Sequence, residues 1–421
     1  MFIPALLVLS AAFLLRSLLA ARLDRWNIAA PVLMVACGAA AALTVAPDAL
    51  VEVFNTEIAQ HVAELILAML LFVDATEVRG GRLWGRSPGL VARVLLVAMP
   101  LSIALAVLLG AVLLPDLSWP LLLLIACIVI PSDFAAAERV VRDRSLPAPV
   151  RGVLNIESGY NDGLVSPVFL FALILARTDN QQNTAEDALA TALPFAIKAV
   201  VVGAAVGALI GILLFLAARA GWTSAQGRRV AVLTTPLLAY AATVAVDGNG
   251  FVASFVCGIA FRYVFRGSAA SYIRKVPDRA RDFLTGPTAE LQLLEEVTGL
   301  LTMGMWFVVG AISVLVVQFG LSWQIAVFCL AALTVLRIGP VLLSLLRTDL
   351  SGRDRFLIGA LGPRGTTSIV FGLLAVNGLA TGDEDVVLTI TVVCVLGSVV
   401  LHGIGSAPLA NRLGRGRRRQ P

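Results

Sequence analysis

Ile128-Val-Ile-Pro-Ser-Asp-Phe-Ala-Ala-Ala-Glu138 continues an apolar run from Trp119, yet it carries a proline, a hydroxyl and two acids. It reads as a membrane span with a break in it. Proline removes a helix hydrogen bond and its ring clashes with the preceding turn. At membrane depth the freed backbone groups must be satisfied by protein or by a watery cavity. A second stretch repeats the design, Ile358-Gly-Ala-Leu-Gly-Pro-Arg-Gly-Thr-Thr-Ser368. Paired broken spans at matching places in two halves of a chain are the sequence pointer to a transporter binding site between repeats.

The rest of the chain supplies those halves. Of its 421 residues 59% are hydrophobic and only 14% charged, against about 25% charged in soluble domains. Taking about twenty apolar residues per crossing, spans fall at 2–21, 27–46, 58–77, 88–114, 119–138, 149–177, 188–218, 228–246, 250–265, 297–318, 322–346, 354–377 and 385–409. The fold class is therefore an all-α polytopic membrane protein with about thirteen transmembrane helices and little room for a soluble catalytic domain. The breaks fall in spans five and twelve, each next to last of six. That layout predicts two inverted six-helix repeats, 1–178 and 228–410, with crossing broken helices. A linker span lies within 179–227, and a short basic tail occupies 411–421. The first run, Phe2 to Ala20, has neither a basic n-region nor a small-residue cleavage site, so it reads as a helix rather than a cleaved signal.

Charge orients the chain. Arginines gather in alternate loops, at Arg22/Arg25, Arg79/Arg82/Arg86, Arg139/Arg142/Arg144, Arg228/Arg229, Arg262 to Arg281, Arg353/Arg355 and the tail. Acids gather in the others, at Asp48/Glu52, Asp116, Asp179/Glu186/Asp187, Asp247 and Asp383 to Asp385, where the only basic residues are Arg177 and Lys198 at helix ends. Positive loops face the cytoplasm. The expectation is a multi-pass protein of the cell inner membrane with its N-terminus outside and its C-terminus cytoplasmic. Basic residues spread over short loops exclude a nucleic-acid face. The cysteines, Cys37, Cys127, Cys257, Cys329 and Cys394, sit singly in apolar spans and read as small core hydrophobes. No nucleophile–base set or metal-ligand cluster stands out, so neither an enzyme nor a cofactor is expected. Small residues at Gly203, Ala204, Gly207, Ala208 and Gly211 read as a close-packing face of span seven.

Between the two breaks lies Asn155-Ile-Glu-Ser-Gly-Tyr-Asn-Asp-Gly163. A carboxylate at the bilayer centre costs roughly 2.5–3.5 kcal/mol on insertion scales and persists where it binds an ion, relays a proton or pairs with a charge. Burial disfavours a carboxylate's charged form, so Asp162 could hold a proton or a cation by turns. Glu157, five residues earlier, points about 140° away on a helix, and both cannot face one small site. Arg364 needs a buried partner. We expect a Glu157–Arg364 structural ion pair, the alternative being that Arg364 neutralises Asp162. Ser132 and Asp133 at the first break, Ser158 one turn before Asp162, and Asn161 beside it offer oxygen ligands. A sodium or potassium ion would lie at Asp162, Asp133 and Ser158. Asp74 is either a further acid near the site or a helix-end charge. Arg337 reads as a structural or snorkelling cation, and His402 as a core histidine.

These residues resemble the monovalent cation:proton antiporter family, in its electroneutral NhaP-like branch of sodium/proton exchangers. The motifs are Glu157-Ser158 with Asn161-Asp162-Gly163, Pro131-Ser132-Asp133 and Gly362 to Thr367, with Asp247-Gly-Asn-Gly-Phe-Val-Ala253 also family-like. The resemblance implies a mobile ion-carrying core, a homodimerising scaffold in lipid, and pH homeostasis as the setting. It implies that Asp162 is the shared carrier, that Asn161 replaces a second aspartate of the electrogenic branch, and that Asp74 lines the site. One-for-one exchange of Na⁺ for H⁺ by alternating access is the expected activity. K⁺/H⁺ exchange is the alternative, and a cation channel or membrane sensor the alternative of another class. Phe134 stands where the family usually has a second proline.

Overall fold

The computed structural model describes residues 2–26, 29–43, 57–77, 87–134, 146–177, 185–275, 286–379 and 382–404. A helix matches each expected span, and no strand occurs among the described residues. The first half holds α1 (Phe2–Leu18), α2 (Ala20–Arg25), α3 (Ala30–Ala42), α4 (Glu57–Glu77), α5 (Pro88–Leu113), α6 (Trp119–Val129) and α7 (Ala148–Ala176). Then come α8 (Ala185–Ala220), α9 (Ala225–Val244), α10 (Gly250–Lys275), α11 (Gly286–Phe319) and α12 (Trp323–Ser344). The last are α13 (Gly352–Ala360), α14 (Thr366–Gly378) and α15 (Glu384–Ser398), which runs on into a π turn, Val399–Ile404. Among the described residues seven helices are long and apolar enough to cross a membrane, and α6 and α14 are shorter apolar helices, each beside a break.

Two boundaries differ from the hydropathy reading. Helix α10 runs to Lys275 rather than 265, and α11 begins at Gly286 rather than 297. The added turns carry charged residues such as Glu290, Glu295 and Glu296, which continue a helix readily but not an apolar stretch. Helix α12 carries a further break, at Thr334 (φ −127°, ψ −89°), which divides Trp323–Leu333 from Val335–Ser344. Some of the loops that set the expected orientation lie outside the described residues, those within 44–56, 78–86 and 135–145, as does the tail 411–421.

Glycines set the closest crossings. Gly203 and Gly207 of α8 lie against the backbone of Ala253 and Cys257 in α10, where an added Cβ would overlap the carbonyl oxygens. Gly38 of α3 meets the Phe307 carbonyl of α11, and Gly310 returns the contact to Val35. Lipid tails are as apolar as the side chains, so such backbone approach replaces the hydrophobic drive of a soluble core. Helices α6 and α14 are enclosed by the others, buried from Leu121 to Val129 with few gaps and from Thr366 to Gly372 throughout. The broken backbone is therefore placed inside protein, as its unsatisfied groups require.

Candidate ion-binding site

The two breaks meet. The Asp133 N–H donates to the Pro363 carbonyl at 2.8 Å, and Ser368 Oγ donates to the Ile128 carbonyl at 2.7 Å. Gly365 lets the chains approach, because a Cβ there would overlap the Asp133 carboxylate. Asp133 Oδ2 in turn accepts the Thr367 N–H at 3.4 Å. One N–H of the first turn of α14, at the positive end of the helix dipole, is thus directed at an acid.

Cations close the opposite ends of helices. The Arg364 guanidinium is fully buried and donates to the Ile130 carbonyl, where α6 ends, and to the Ala332 carbonyl at 3.0 Å, just before the break in α12. Its own N–H donates to Ser398 Oγ at 2.6 Å, which lies 3.2 Å from His402 Nδ1. Arg337 donates to the Ile358 and Gly359 carbonyls at 3.3 and 3.2 Å, at the end of α13. Arg177 caps α14 at the Gly378 carbonyl, 2.7 Å away, and Lys198 takes the Val246 carbonyl at 2.8 Å beyond α9. Each cation supplies donors to carbonyls that a continuing helix would have satisfied.

This arrangement corrects the expected ion pair. Glu157 does not pair with Arg364; it forms a two-point bridge with Arg337, Nη1–Oε1 at 2.6 Å and Nη2–Oε2 at 3.0 Å. Both groups are at most 5% exposed. The physical reason is local. Arg337 projects from the second half of α12 into space left by Gly362, where any side chain would overlap the guanidinium. The breaks meanwhile offer Arg364 bare carbonyls. Arg364 does not contact Asp162 by hydrogen bond either, so it leaves that carboxylate open. Sequence left Arg337 as a generic structural cation; its spacing to Glu157, 180 residues along the chain, gave no local signal.

Asn161 and Asp162 are 1% and 2% exposed. Asn161 Nδ2 donates to the Ser132 carbonyl at 2.6 Å and to Ser132 Oγ at 3.1 Å, which fixes α7 against the first break. Ser132 Oγ lies 3.4 Å from Glu157 Oε1. Asp162 Oδ2 accepts from Thr367 Oγ1 at 2.7 Å. The other oxygen of each side chain, Asn161 Oδ1 and Asp162 Oδ1, is buried without a hydrogen-bond partner among the described residues, and so is Thr366 Oγ1. Buried polar atoms are rarely left so. Carboxylate and carbonyl oxygens are the ligand type that suits hard cations. A cavity with room for about one water lies between Ser102, Ser132, Glu157, Asn161 and Arg337.

The structure therefore brings Ser132, Asp133, Asn161 and Asp162 together at the crossing. Ser158 is half-buried one turn before Asp162 on α7. Asp74 is half-buried in α4, two residues before Thr76, whose carbonyl takes the Arg262 guanidinium of α10. The residue not anticipated is Thr367. Its signal was available, two threonines directly after Gly365 inside a membrane span.

Enclosed crossing breaks around a buried, half-satisfied carboxylate define the chain as a polytopic helical transporter. Residues 8–412 match the sodium/hydrogen exchanger transmembrane family, and the chain belongs to that family. It is similar to the K(+)/H(+) antiporter NhaP2 of Shewanella baltica (strain OS223), 26% identical over 268 residues, 61% of this chain and 41% of the relative. The protein of the same name from Shewanella sp. (strain ANA-3) is 28% identical over 261 residues, with the same coverage. The match thus spans about two fifths of those relatives' length. Its fold is similar to that of the sodium proton antiporter MjNhaP1 from Methanocaldococcus jannaschii at pH 8, with TM-score 0.74 and 18% identity over 98% of this chain and 99% of that one.

Proposed function

We propose that the chain exchanges one monovalent cation for one proton across the membrane by alternating access, with Asp162 carrying each in turn. One observation carries this reading. Asp162 is enclosed by protein, with one carboxylate oxygen held by Thr367 and the other without a partner among the described residues. A carboxylate so placed gains by binding either a proton or a cation, and cannot hold both at full strength. The neutral amide of Asn161 beside it supports an uncharged exchange, because a single shared carboxylate that swaps H⁺ for a monovalent ion moves no net charge. Asp133, Ser132 and Ser158 complete the oxygen set, and Asp74 is retained as an acid on the path.

The same reading treats residues 1–178 and 228–410 as inverted repeats joined through 179–227, working as a homodimer in the cell membrane. Sodium is the proposed cation, in line with the fold likeness to a sodium proton antiporter. Potassium is the second reading, favoured by the names of the Shewanella relatives.

The test uses proteoliposomes with an acid interior and Na⁺ or K⁺ added outside, with the membrane potential clamped and unclamped. Proton efflux that follows added cation and is unchanged by clamping is expected, and the more effective ion names the substrate. Cation flux without coupled proton movement would overturn the exchanger reading in favour of a channel.

A further inference from the structure

We propose that Thr367 is a positioning residue that holds Asp162 Oδ2 and so leaves Oδ1 of that carboxylate for the transported cation. The inference rests on the exchange reading above and deepens it. Thr367 is 3% exposed and belongs to the first turn of α14. It reaches two acids from two sides: its hydroxyl donates to Asp162 Oδ2 at 2.7 Å, and its N–H points to Asp133 Oδ2 at 3.4 Å. One residue of the second broken span therefore spans the carboxylate of α7 and the carboxylate of the first break.

A hydrogen bond given to a carboxylate favours its charged form over its protonated form. The charged form is the one that binds a cation. The Thr367 hydroxyl is a donor aimed at that form. It also fixes which oxygen is spent. With Oδ2 committed to Thr367, Oδ1 is the oxygen left for the incoming ion. Arg364 acts on Asp162 through space from the second break. Glu157 on the same helix is bonded to Arg337. Of the other helices packed on α7, α4 carries Asp74, and α10 carries Arg262, which donates to the Thr76 carbonyl.

Thr367→Val keeps the branched shape and removes the donor; Thr367→Ser keeps the donor. Cation-driven proton flux is measured in proteoliposomes across cation concentration at fixed pH, for both variants, wild type and Asp162→Asn. The expected result for Thr367→Val is a weaker hold on the cation. Its half-saturating cation concentration should rise about tenfold, with the maximal rate retained. Thr367→Ser should stay near wild type on both counts. A Thr367→Val half-saturation equal to wild type, while Asp162→Asn is inactive, overturns this inference alone. A uniform fall in maximal rate with unchanged half-saturation also overturns it, because that is the signature of a merely structural threonine. Full activity of Asp162→Asn overturns the exchange site itself.

Discussion

Glu157→Gln is nearly isosteric and removes one charge from the Glu157–Arg337 bridge. In the wild type the Arg337 guanidinium makes four hydrogen bonds, two to Glu157 and two to the end of α13. The variant keeps one amide acceptor and leaves the guanidinium buried without a counter-charge. Breaking a buried pair by removing one partner costs about 3–5 kcal/mol. With roughly 2 °C per kcal/mol for a large chain, the thermal midpoint in detergent should fall by on the order of 5–10 °C. Arg337→Met should fall by a similar amount, since it strands the carboxylate. The double variant should lie well above the sum of the two, because replacing a whole buried pair is often near neutral. The coupling expected is about 2 kcal/mol or more, within the range for groups in direct contact. Additive singles would refute the pairing. Coupling of Glu157→Gln to Arg364→Met but not to Arg337→Met would refute it in favour of the pair that sequence alone pointed to.

Two further outcomes follow from the glycines. Gly365→Ala should reduce exchange at least tenfold while the protein still folds, measured as proteoliposome flux beside a size-exclusion profile, because its methyl would displace the Asp133 carboxylate at the crossing. Gly207→Val should instead lower the thermal midpoint and leave the cation half-saturation near wild type, because the contact it disturbs is the α8–α10 crossing, against Cys257.

Much of this was legible in sequence because the membrane imposes it. Hydropathy located a helix for every expected span, and Pro131 and Pro363 marked the two breaks, since a break at depth must announce itself with residues that cannot continue a helix. The Asn161–Asp162 pair was legible because a buried acid is costly. The partners of the charges were not. Arg364 and Arg337 are both buried cations in spans near the second break, and only the three-dimensional path decides which meets Glu157. The space beside Gly362 and the carbonyls of Ile130 and Ala332 made that choice. The break at Thr334 was hidden for another reason. It carries no proline or glycine, yet it precedes Arg337 and follows the carbonyl that Arg364 uses. Thr367 was legible only as one of two threonines after Gly365, and a threonine in a span is inexpensive enough to be passed over.

The central claim, that Asp162 holds proton and cation in alternation, is tested most directly by proton release on cation binding. Purified protein in weakly buffered detergent would be titrated with Na⁺ and with K⁺ near the pH of half-maximal exchange, and the released protons counted per chain. The account predicts release that saturates with the transported cation, approaches but does not exceed one proton per chain, and is absent in Asp162→Asn. Release that persists in that variant, or saturable cation binding with no proton released, would contradict it.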